Sequence, residues 1–540
     1  MTTEVRETEQ KYEVEGDVAL PSFADLPQVA TVSEPEQETL TAEYYDTDDL
    51  RLLKAGITLR RREGGSDEGW HLKLPDASAE TAEKTAGASR RREIRLTLDQ
   101  GDRDRMDRRR KSGGDPVPAE LARLVRAHAR DASLRPVARI ETRRRLTTLL
   151  DAAGTSLAEI AVDEVAAQSL GASTTLSRWN EIEVELTGGR PRLLRAAAER
   201  LRRSGLRPAG RSAKLERALA ADARPSLASA RPGGRSDAVR AERRPQAGDV
   251  VTAYVGDQAS RLKALDAAVR RDQPDAVHQM RVTTRRLRAA LQAFPTVLPQ
   301  PATAGLRDEL RWLGQVLGDA RDAEVLEQHF QAALADLPVE LVIGPAKARV
   351  TMHFAPEQAA ARKAVLKALD SRRYFRLLDD LDRLLDDPPQ TAAATAPADE
   401  VLPQAVAHAY RRTKRRMVRA RRAPAGTARD VALHEARKAA KRARYAADAA
   451  EPAVGKPARR FAKRMKAVQS VLGDHQDAVT ARSVARDIGM QAYLAGENAF
   501  SFGLLHERAH RDAAEYRRQA RSVWRRASRR KGRRWLAGPR

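Results

Sequence analysis

The 540-residue sequence contains no cysteine. That excludes a disulfide framework, a thiolate metal site and thiol catalysis. Aromatic residues make up only 4% of the chain, too few for the stacking platforms that hold single-stranded nucleic acids. No apolar run approaches the roughly 20 residues of a membrane span. The first ten residues, MTTEVRETEQ, are acidic and polar, unlike the basic and then apolar start of a secretory signal. The chain therefore reads as a cytoplasmic protein. It has no G-x-x-x-x-G-K-[ST] phosphate loop and no recognisable Ser-His-Asp set.

Acidic residues are scarce in only one half. Residues 1–220 hold 38 basic and 38 acidic side chains, residues 221–247 hold 6 and 3, and residues 248–540 hold 55 and 33. The last segment thus carries +22 of the formal net charge of +25. An arginine-rich genome would not spare the first 220 residues. A segment this basic calls for a polyanion or an anionic surface. The sequence predicts two domains, 1–220 and 248–540, joined by a Pro-, Gly-, Ser- and Ala-rich solvated linker at 221–247. PPQTAAATAPA at 388–398 predicts a second, shorter linker, and the basic run from Arg517 to Arg540 predicts a frayed helix end or disordered tail.

Short windows of the first domain alternate with period two, as strands do. Glu7, Glu9 and Lys11 share one parity. Arg60 with Arg62, His71 with Lys73, and Arg91 with Glu93 and Arg95 repeat the pattern. So do Glu141, Arg143 and Arg145, then Glu159, Ala161 and Asp163, then Glu181, Glu183 and Glu185. Apolar residues fill most opposite parities, and helices are expected at Pro191–Ser204 and Ser212–Ala221. The ordinary reason for such alternation is that the charges face water. Here some strands carry only carboxylates and others only cations. A closed barrel of about eight strands could turn that face inward. Opposed acidic and basic walls would suit a triphosphate with its divalent cation, because carboxylates hold Mg²⁺ or Mn²⁺ and Arg forks grip phosphate oxygens.

Glu7-Thr8-Glu9-Gln10-Lys11 matches the E-x-E-x-K signature of the CYTH, or triphosphate tunnel, family. Companions follow in order: Tyr45-Asp46-Thr47, Leu59-Arg60-Arg61-Arg62, Leu72-Lys73-Leu74, Thr142-Arg143, Glu159 to Asp163, Glu181-Ile182-Glu183-Val184-Glu185 and Ser212-Ala213-Lys214. Residues 4–220 thus resemble that family. The resemblance implies an eight-stranded antiparallel tunnel and a metal-dependent triphosphatase or an adenylyl cyclase. It implies metal binding by Glu7, Glu9, Asp163, Glu181, Glu183 and Glu185, with Mg²⁺ or Mn²⁺ as cofactor. It implies phosphate binding by Arg60, Arg62, Lys73, Arg143 and Lys214, and catalysis by Glu7, Glu9 and Lys11; Arg145 is a further phosphate candidate because it shares a strand parity with Arg143. Arg95 departs from the family's R-x-E-x-E pattern, where an acidic side chain is expected.

The second half is rich in Ala, Leu, Arg and Gln and reads as helical. It also repeats. Val277-His278-Gln279-Met280-Arg281 recurs 156 residues later as Leu433-His434-Glu435-Ala436-Arg437, and Leu317-Gly318-Asp319 recurs 155 residues later as Leu472-Gly473-Asp474. Two motifs in one order at one offset indicate a duplicated unit, with repeats at about 248–390 and 399–530. His278, Arg281, Arg285 and Arg288 stand at i, i+3, i+7 and i+10, within a narrow arc of one helix face. His434, Arg437, Lys441 and Arg444 repeat the spacing, and Arg286, Lys438 and Arg442 broaden the basic face. A solvated face is the plain alternative. Two such helices would make a paired track for regularly spaced anions, in which His can donate a hydrogen bond or add charge.

These segments resemble the CHAD family, whose pattern stands in residues 278–288 and 433–445 and in the Gly-Asp-x-x-Asp segments at 318–322 and 473–477. The resemblance covers about residues 248–530. It implies an α-helical fold of two pseudo-symmetric bundles and a basic surface that binds inorganic polyphosphate. The acidic segments are expected to buttress the basic helices. The fold class expected for the chain is multidomain α+β: an N-terminal eight-stranded antiparallel β tunnel and a C-terminal all-α duplicated bundle. The function expected is a polyphosphate-binding protein, possessing metal-dependent triphosphate or polyphosphate hydrolase activity in the tunnel and associated with polyphosphate granules. A non-catalytic granule scaffold, cyclase-type nucleotide chemistry and non-specific nucleic-acid binding are the alternatives.

Overall fold

In the computed structural model there are ten strands, β1 (Thr2–Val14), β2 (Thr31–Val32), β3 (Glu36–Asp46), β4 (Thr58–Glu63), β5 (Gly69–Pro75), β6 (Ser89–Leu96), β7 (Arg135–Leu150), β8 (Ser156–Ser169), β9 (Leu176–Leu186) and β10 (Arg207–Pro208), and the seven alternating windows fall on all of them except β2, β3 and β10. The structure describes residues 2–14, 20–75, 89–97, 117–171, 174–209, 213–220 and 244–537. Strands β1-β6-β5-β4-β3-β7-β8-β9 pair antiparallel in that order, and β9 returns to β1. Eight strands thus close a barrel and leave no free edge. β2 and β10 are short additions to β7 and β1.

Apolar residues lie on the outside over much of this barrel. Tyr12, Ile160, Ile182 and Val184 form one core cluster with Leu193, Leu194, Ala197 and Leu201 of a covering helix. Two short helices, α1 (Arg51–Lys54) and α2 (Ala119–Ala129), precede that covering helix, α3 (Pro191–Arg203). α3 begins on Pro191, whose fixed φ suits a first helical position, and stops before Gly205 at φ +85°. Its Leu201 is 0% exposed, so Leu201→Ala would cost about 2–5 kcal/mol. With the apolar parity of β1, β8 and β9 covered by a helix, the charged parity turns into the lumen.

One end of the lumen is closed from within. Ala42, Tyr44, Ala138, Ile140, Val165, Ala167 and Trp179 pack around Leu215, Ala218 and Leu219, which lie in and just after α4 (Lys214–Ala218). The helix that fills this end also carries Lys214. Asp46, quoted above as part of a motif, is structural: its carboxylate accepts from the backbone N–H groups of Thr47, Leu52 and Leu53 at 2.7, 2.9 and 2.9 Å, holding the turn that starts α1.

The chain divides into two units, Met1–Ser236 and Asp237–Arg540. The second is helical among its described residues: α5 (Ala247–Arg270), α6 (Ala276–Ala293), α7 (Gln300–Ala335), α8 (Ala346–Leu369), α9 (Arg372–Asp386), α10 (Ala392–Thr395), α11 (Ala398–Arg422), α12 (Thr427–Val454), α13 (Lys456–Leu494) and α14 (Phe500–Ala527). Consecutive helices α5 to α8 pack in sequence, and α11 to α14 repeat the arrangement. α6 and α12, the His-Arg helices of the two copies, pack against each other.

Three sequence expectations change here. Residues 221–243 of the expected linker lie outside the described residues, but Pro245 to Ala247 belong to the helical unit: Gln246 bridges to Pro397 and Ala247 N–H donates to Ala396 at 2.9 Å. Residues 388–398 are not a solvated linker. Thr391 caps α10 and donates to the Thr296 carbonyl at 2.8 Å, and Ala394 is buried. The basic tail is not frayed over its described part. After α14 a 3₁₀ stretch, Arg530–Ala537, folds back, with Trp535 5.9 Å from Phe461 and Arg533 4.6 Å over Tyr410. Aromatic area and cation–π attraction outweigh the local repulsion among cations.

Candidate functional site

The barrel lumen holds a dense ionic lattice. On β1, Glu7 and Glu9 are each 2% exposed. Lys73 Nζ lies 2.7 Å from Glu7, and Lys11 pairs with Glu183 and lies 3.6 Å from Glu9. Lys214 Nζ reaches Asp163, Glu181 and Glu183 at 2.8, 2.6 and 2.6 Å. The register explains this convergence: Asp163 pairs with Glu181 across β8–β9, and Glu183 pairs with Lys11 across β9–β1. Oxygens of Asp163, Glu181 and Glu183 lie within 4.8 Å of one another. An all-carboxylate set of this size fits a hard divalent cation. Glu159 and Glu185 are register partners, as are Glu185 and Glu9, so acidic groups continue along the same wall.

Burial sets the proton affinities. Burial pushes the Glu7 carboxyl up to about 7, against the pull of Lys73. Glu183 is held well below the usual carboxylate range: burial opposes this, but Lys11, Lys214 and Arg144 prevail. Lys214 is held well above the usual ammonium range, because Asp163, Glu181 and Glu183 outweigh its desolvation. Burial raises Glu185.

Of the residues expected in the lumen, Arg60, Arg62, Lys73, Lys11, Glu7, Glu9, Asp163, Glu181, Glu183, Glu185 and Lys214 all lie on its face, by pairing register and ionic contacts. Arg143 and Arg145 do not: both are exposed. Arg144 takes the inward position, donating to Asp163 at 2.8 and 2.7 Å and to Glu183 at 2.9 Å. On β7 the inward parity includes Ala138 and Ile140, which meet the α4 plug. The rule that apolar residues mark the outer face therefore fails on that strand. Sequence reasoning also missed Glu93 and His71. Glu93 is 0% exposed and accepts from Arg95, the residue that broke the expected pattern. His71 faces it, Nδ1 2.9 Å from Glu93 Oε1 and Nε2 2.7 Å from the Asp67 carbonyl. Asp67 accepts from Arg62 at 2.7 and 2.6 Å. The signal for Glu93 was its place in the charged parity of Arg91, Glu93 and Arg95.

The helical unit gathers cations around Lys441 on α12. Lys441 on α12 feels the charges of Arg285 and Arg281 from α6 together with Arg437 and Arg444 from its own helix. The two duplicated rows therefore converge. Burial first and these guanidinium groups second push Lys441 down to about 7. Arg285, Arg286 and Arg437 each have a buried Nε, and His434 a buried Nδ1, with no hydrogen-bond partner among the described residues. Burial lowers the proton affinity of both His278 and His434, so each imidazole is biased toward its neutral form.

The Gly-Asp-x-x-Asp segments buttress these rows. Arg281 donates to Asp322 at 2.7 and 3.3 Å, and Arg437 lies 3.8 Å from Asp477. A Cβ added at Gly318 would sit 3.5 Å from Arg281 Nη2, and one at Gly473 would sit 3.0 Å from Arg437 Nη2. Each glycine leaves room for a guanidinium to lie across the neighbouring helix. Arg286 and Arg444 share Asp448, and Arg444 also donates to Gln469 at 3.0 Å. Lys438 is exposed and pairs with Glu435 at 2.9 Å. Arg288 feels Arg311 and Arg285, and Arg442 feels Arg412 and Arg288. No described helix is long and apolar enough to cross a membrane.

The CYTH domain model matches residues 5–214, and the CHAD domain model matches residues 253–486. An uncharacterised protein of Mycobacterium tuberculosis is 39% identical over 518 residues, which cover 93% of this chain and 92% of that protein. Among solved structures, PptA from Streptomyces chartreusis is 22% identical with a TM-score of 0.44, over 52% of this chain and 99% of its own. An adenylyl cyclase candidate from Hippeastrum with a dominant triphosphatase activity is 16% identical with a TM-score of 0.25, over 41% of this chain and 98% of its own.

Proposed function

This chain belongs to the CYTH and CHAD families, joined in one polypeptide, and from that premise we propose that it binds inorganic polyphosphate on its helices and hydrolyses triphosphate or polyphosphate ends in its tunnel with Mg²⁺ or Mn²⁺. The observation that carries this reading is the lumen itself, where Asp163, Glu181 and Glu183 cluster within 4.8 Å beside Lys214, Lys11 and Arg144. The three carboxylates, with Glu7, Glu9 and Glu185 on the same face, are the candidate ligands of the divalent cation. When bound, that cation would neutralise charge on the phosphoryl oxygens.

The chain's own cations do the remaining positioning. Arg60, Arg62, Lys73, Arg144 and Lys214 present donors to phosphate oxygens, and Arg forks add bidentate geometry. Glu7 and Glu9, as candidate ligands of the divalent cation, would help to align an attacking water on it. Lys11 neutralises a departing phosphate. Phosphoryl transfer asks little more than alignment and charge stabilisation. On the helices His278, Arg281, Arg285, Arg286 and Arg288, with His434, Arg437, Lys438, Lys441, Arg442 and Arg444, supply the polyphosphate track, and through it the protein would join polyphosphate granules in the cytoplasm.

The deciding experiment is phosphate release from tripolyphosphate with Mg²⁺ or Mn²⁺, run beside ATP. Wild type should release phosphate and Glu7→Gln with Glu9→Gln should end it. A wild type that releases none leaves a scaffold, and a cyclic nucleotide formed from ATP makes it a cyclase. Neutralising His278, Arg281, His434 and Arg437 together should abolish retention on long-chain polyphosphate with helicity intact. Unchanged retention overturns the track.

A further inference from the structure

α11 carries a basic row that neither duplicated motif contains. Arg412, Arg415, Arg419 and Arg422 stand at i, i+3, i+7 and i+10, the spacing of the His-Arg rows on α6 and α12. At 100° per residue these four and Arg416 span an arc of about 120°, opposite the helix's buried Val406, Tyr410, Thr413, Met417 and Ala420. One border of the arc touches the central track. Arg442 of α12 feels Arg412, Arg288 and Arg416, and Glu435 of α12 feels Arg416. The rest faces water, with Arg415, Arg419 and Arg422 all exposed. Glu435 is already engaged by Lys438 at 2.9 Å. Among the described residues, no carboxylate pairs with Arg412, Arg415, Arg419 or Arg422.

Unpaired like charges along a helix are unfavourable by tenths of a kcal/mol per close pair. Elsewhere in this unit some exposed cations are answered by a carboxylate on the same helix, as Arg383 is by Asp380 at 2.6 Å and Arg311 by Asp308 at 2.8 Å. The α11 row has no such answer. It runs toward the turn between α11 and α12, where Ala423 to Gly426 connect the two helices, and so continues past His434. From Arg412 to Arg422 it adds about 15 Å of cationic surface.

We propose that this α11 row is an extension site for polyphosphate, engaged only by chains long enough to run off the central track. This rests on the polyphosphate reading above and deepens it: the row selects for chain length. Phosphate contacts act by releasing counterions, so each adds to affinity and to salt dependence. A short chain is satisfied by the α6 and α12 rows and gains nothing from α11.

The test uses the full chain with Arg415→Gln, Arg419→Gln and Arg422→Gln combined, since these exposed positions carry no packing. Affinity is measured at two salt concentrations for polyphosphate of about 100 units and of about 10 units. The long chain should bind about tenfold more weakly with a shallower salt dependence, and the short chain should change by less than about twofold. Lysine at the same three positions should restore most of the loss, and tripolyphosphate hydrolysis should be unchanged. Undiminished long-chain affinity overturns the extension. An equal loss at both lengths assigns the row to the central track and overturns it too. Loss of duplex DNA binding with polyphosphate affinity intact would make nucleic acid the partner. A wild type that binds neither length removes the underlying reading instead.

Discussion

Lys214 and Lys441 put one kind of side chain into opposite surroundings. Lys214 enters the barrel among Asp163, Glu181 and Glu183 and is held well above the usual lysine value. Lys441 lies between two helices among Arg281, Arg285, Arg437 and Arg444 and falls to about 7. Desolvation acts the same way on both. The sign of the neighbours decides the outcome. The barrel carries its counter-charges within it. The helical track has carboxylates at Asp322, Asp477, Glu435 and Asp448, but Lys441 itself is surrounded by cations.

Replacing each lysine by Met would break this comparison most directly. Lys214→Met takes the ammonium away from Glu181, while Asp163 and Glu183 keep Arg144 and Lys11, and removing one partner of a buried ion pair costs about 3–5 kcal/mol. Lys441→Met removes a cation from a cluster of cations, so stability should rise by about 1 kcal/mol or hold. Hydrogen exchange in the full chain should show faster opening of β8 and β9 in the first variant and none in α12 in the second. Equal losses would mean that the two environments do not differ as described.

A pH series sharpens the contrast. A lysine whose folded value is depressed binds fewer protons than the unfolded chain, so its penalty is full below the folded value and fades as pH rises toward the unfolded one. For Lys441 that window runs from about 7 to 10.5, and the stability gap between wild type and Lys441→Met should close across it. Lys214 is raised instead. Its contribution is fully present below 10.5 and is lost only as pH climbs through its higher folded value. The Lys214→Met gap should therefore stay flat over the same window. A bound polyanion would return the ammonium form to Lys441, so polyphosphate binding near pH 8 should take up protons, read by calorimetry in buffers of different ionisation enthalpy. No uptake would mean that the chain does not reach Lys441.

Much of both regions was legible in the sequence, and the misses share a cause. Glu181, Glu183 and Glu185 announced a strand face because period two needs no knowledge of neighbours. The His278 and His434 rows were equally local, since i, i+3, i+7 and i+10 follow from helix geometry alone. Arg144 was misread because the inward face of β7 is apolar where α4 plugs the lumen and charged farther along. That switch is set by residues about 70 positions downstream. Glu93 was overlooked because Arg95 broke a pattern, although Arg95 turns back onto Glu93. Residues 388–398 looked like a linker by composition, yet Ala394 is small enough to bury where α10 meets α5. Convergence of the two rows joins residues some 156 positions apart, a fact of helix packing that no window can hold.

The smallest effect separates the two copies of the helical motif. Gly318 and Gly473 occupy matching places, and each faces the Arg of its own repeat. Alanine should stabilise either helix by about 1 kcal/mol through propensity alone. At Gly318 the added methyl meets Arg281 at 3.5 Å, ordinary contact, and Asp322 still holds that guanidinium at 2.7 Å. At Gly473 it meets Arg437 at 3.0 Å, so the guanidinium must move, and its tie to Asp477 is already long at 3.8 Å. Gly318→Ala should thus raise the melting temperature with polyphosphate affinity unchanged. Gly473→Ala should weaken affinity about two- to threefold, the size of one disturbed charge contact near a surface. Equal affinities in the two variants would mean that the second copy holds its arginine as firmly as the first. The asymmetry would then have to lie where the two Gly-Asp-x-x-Asp segments differ, at Ala320 against His475 and Arg321 against Gln476.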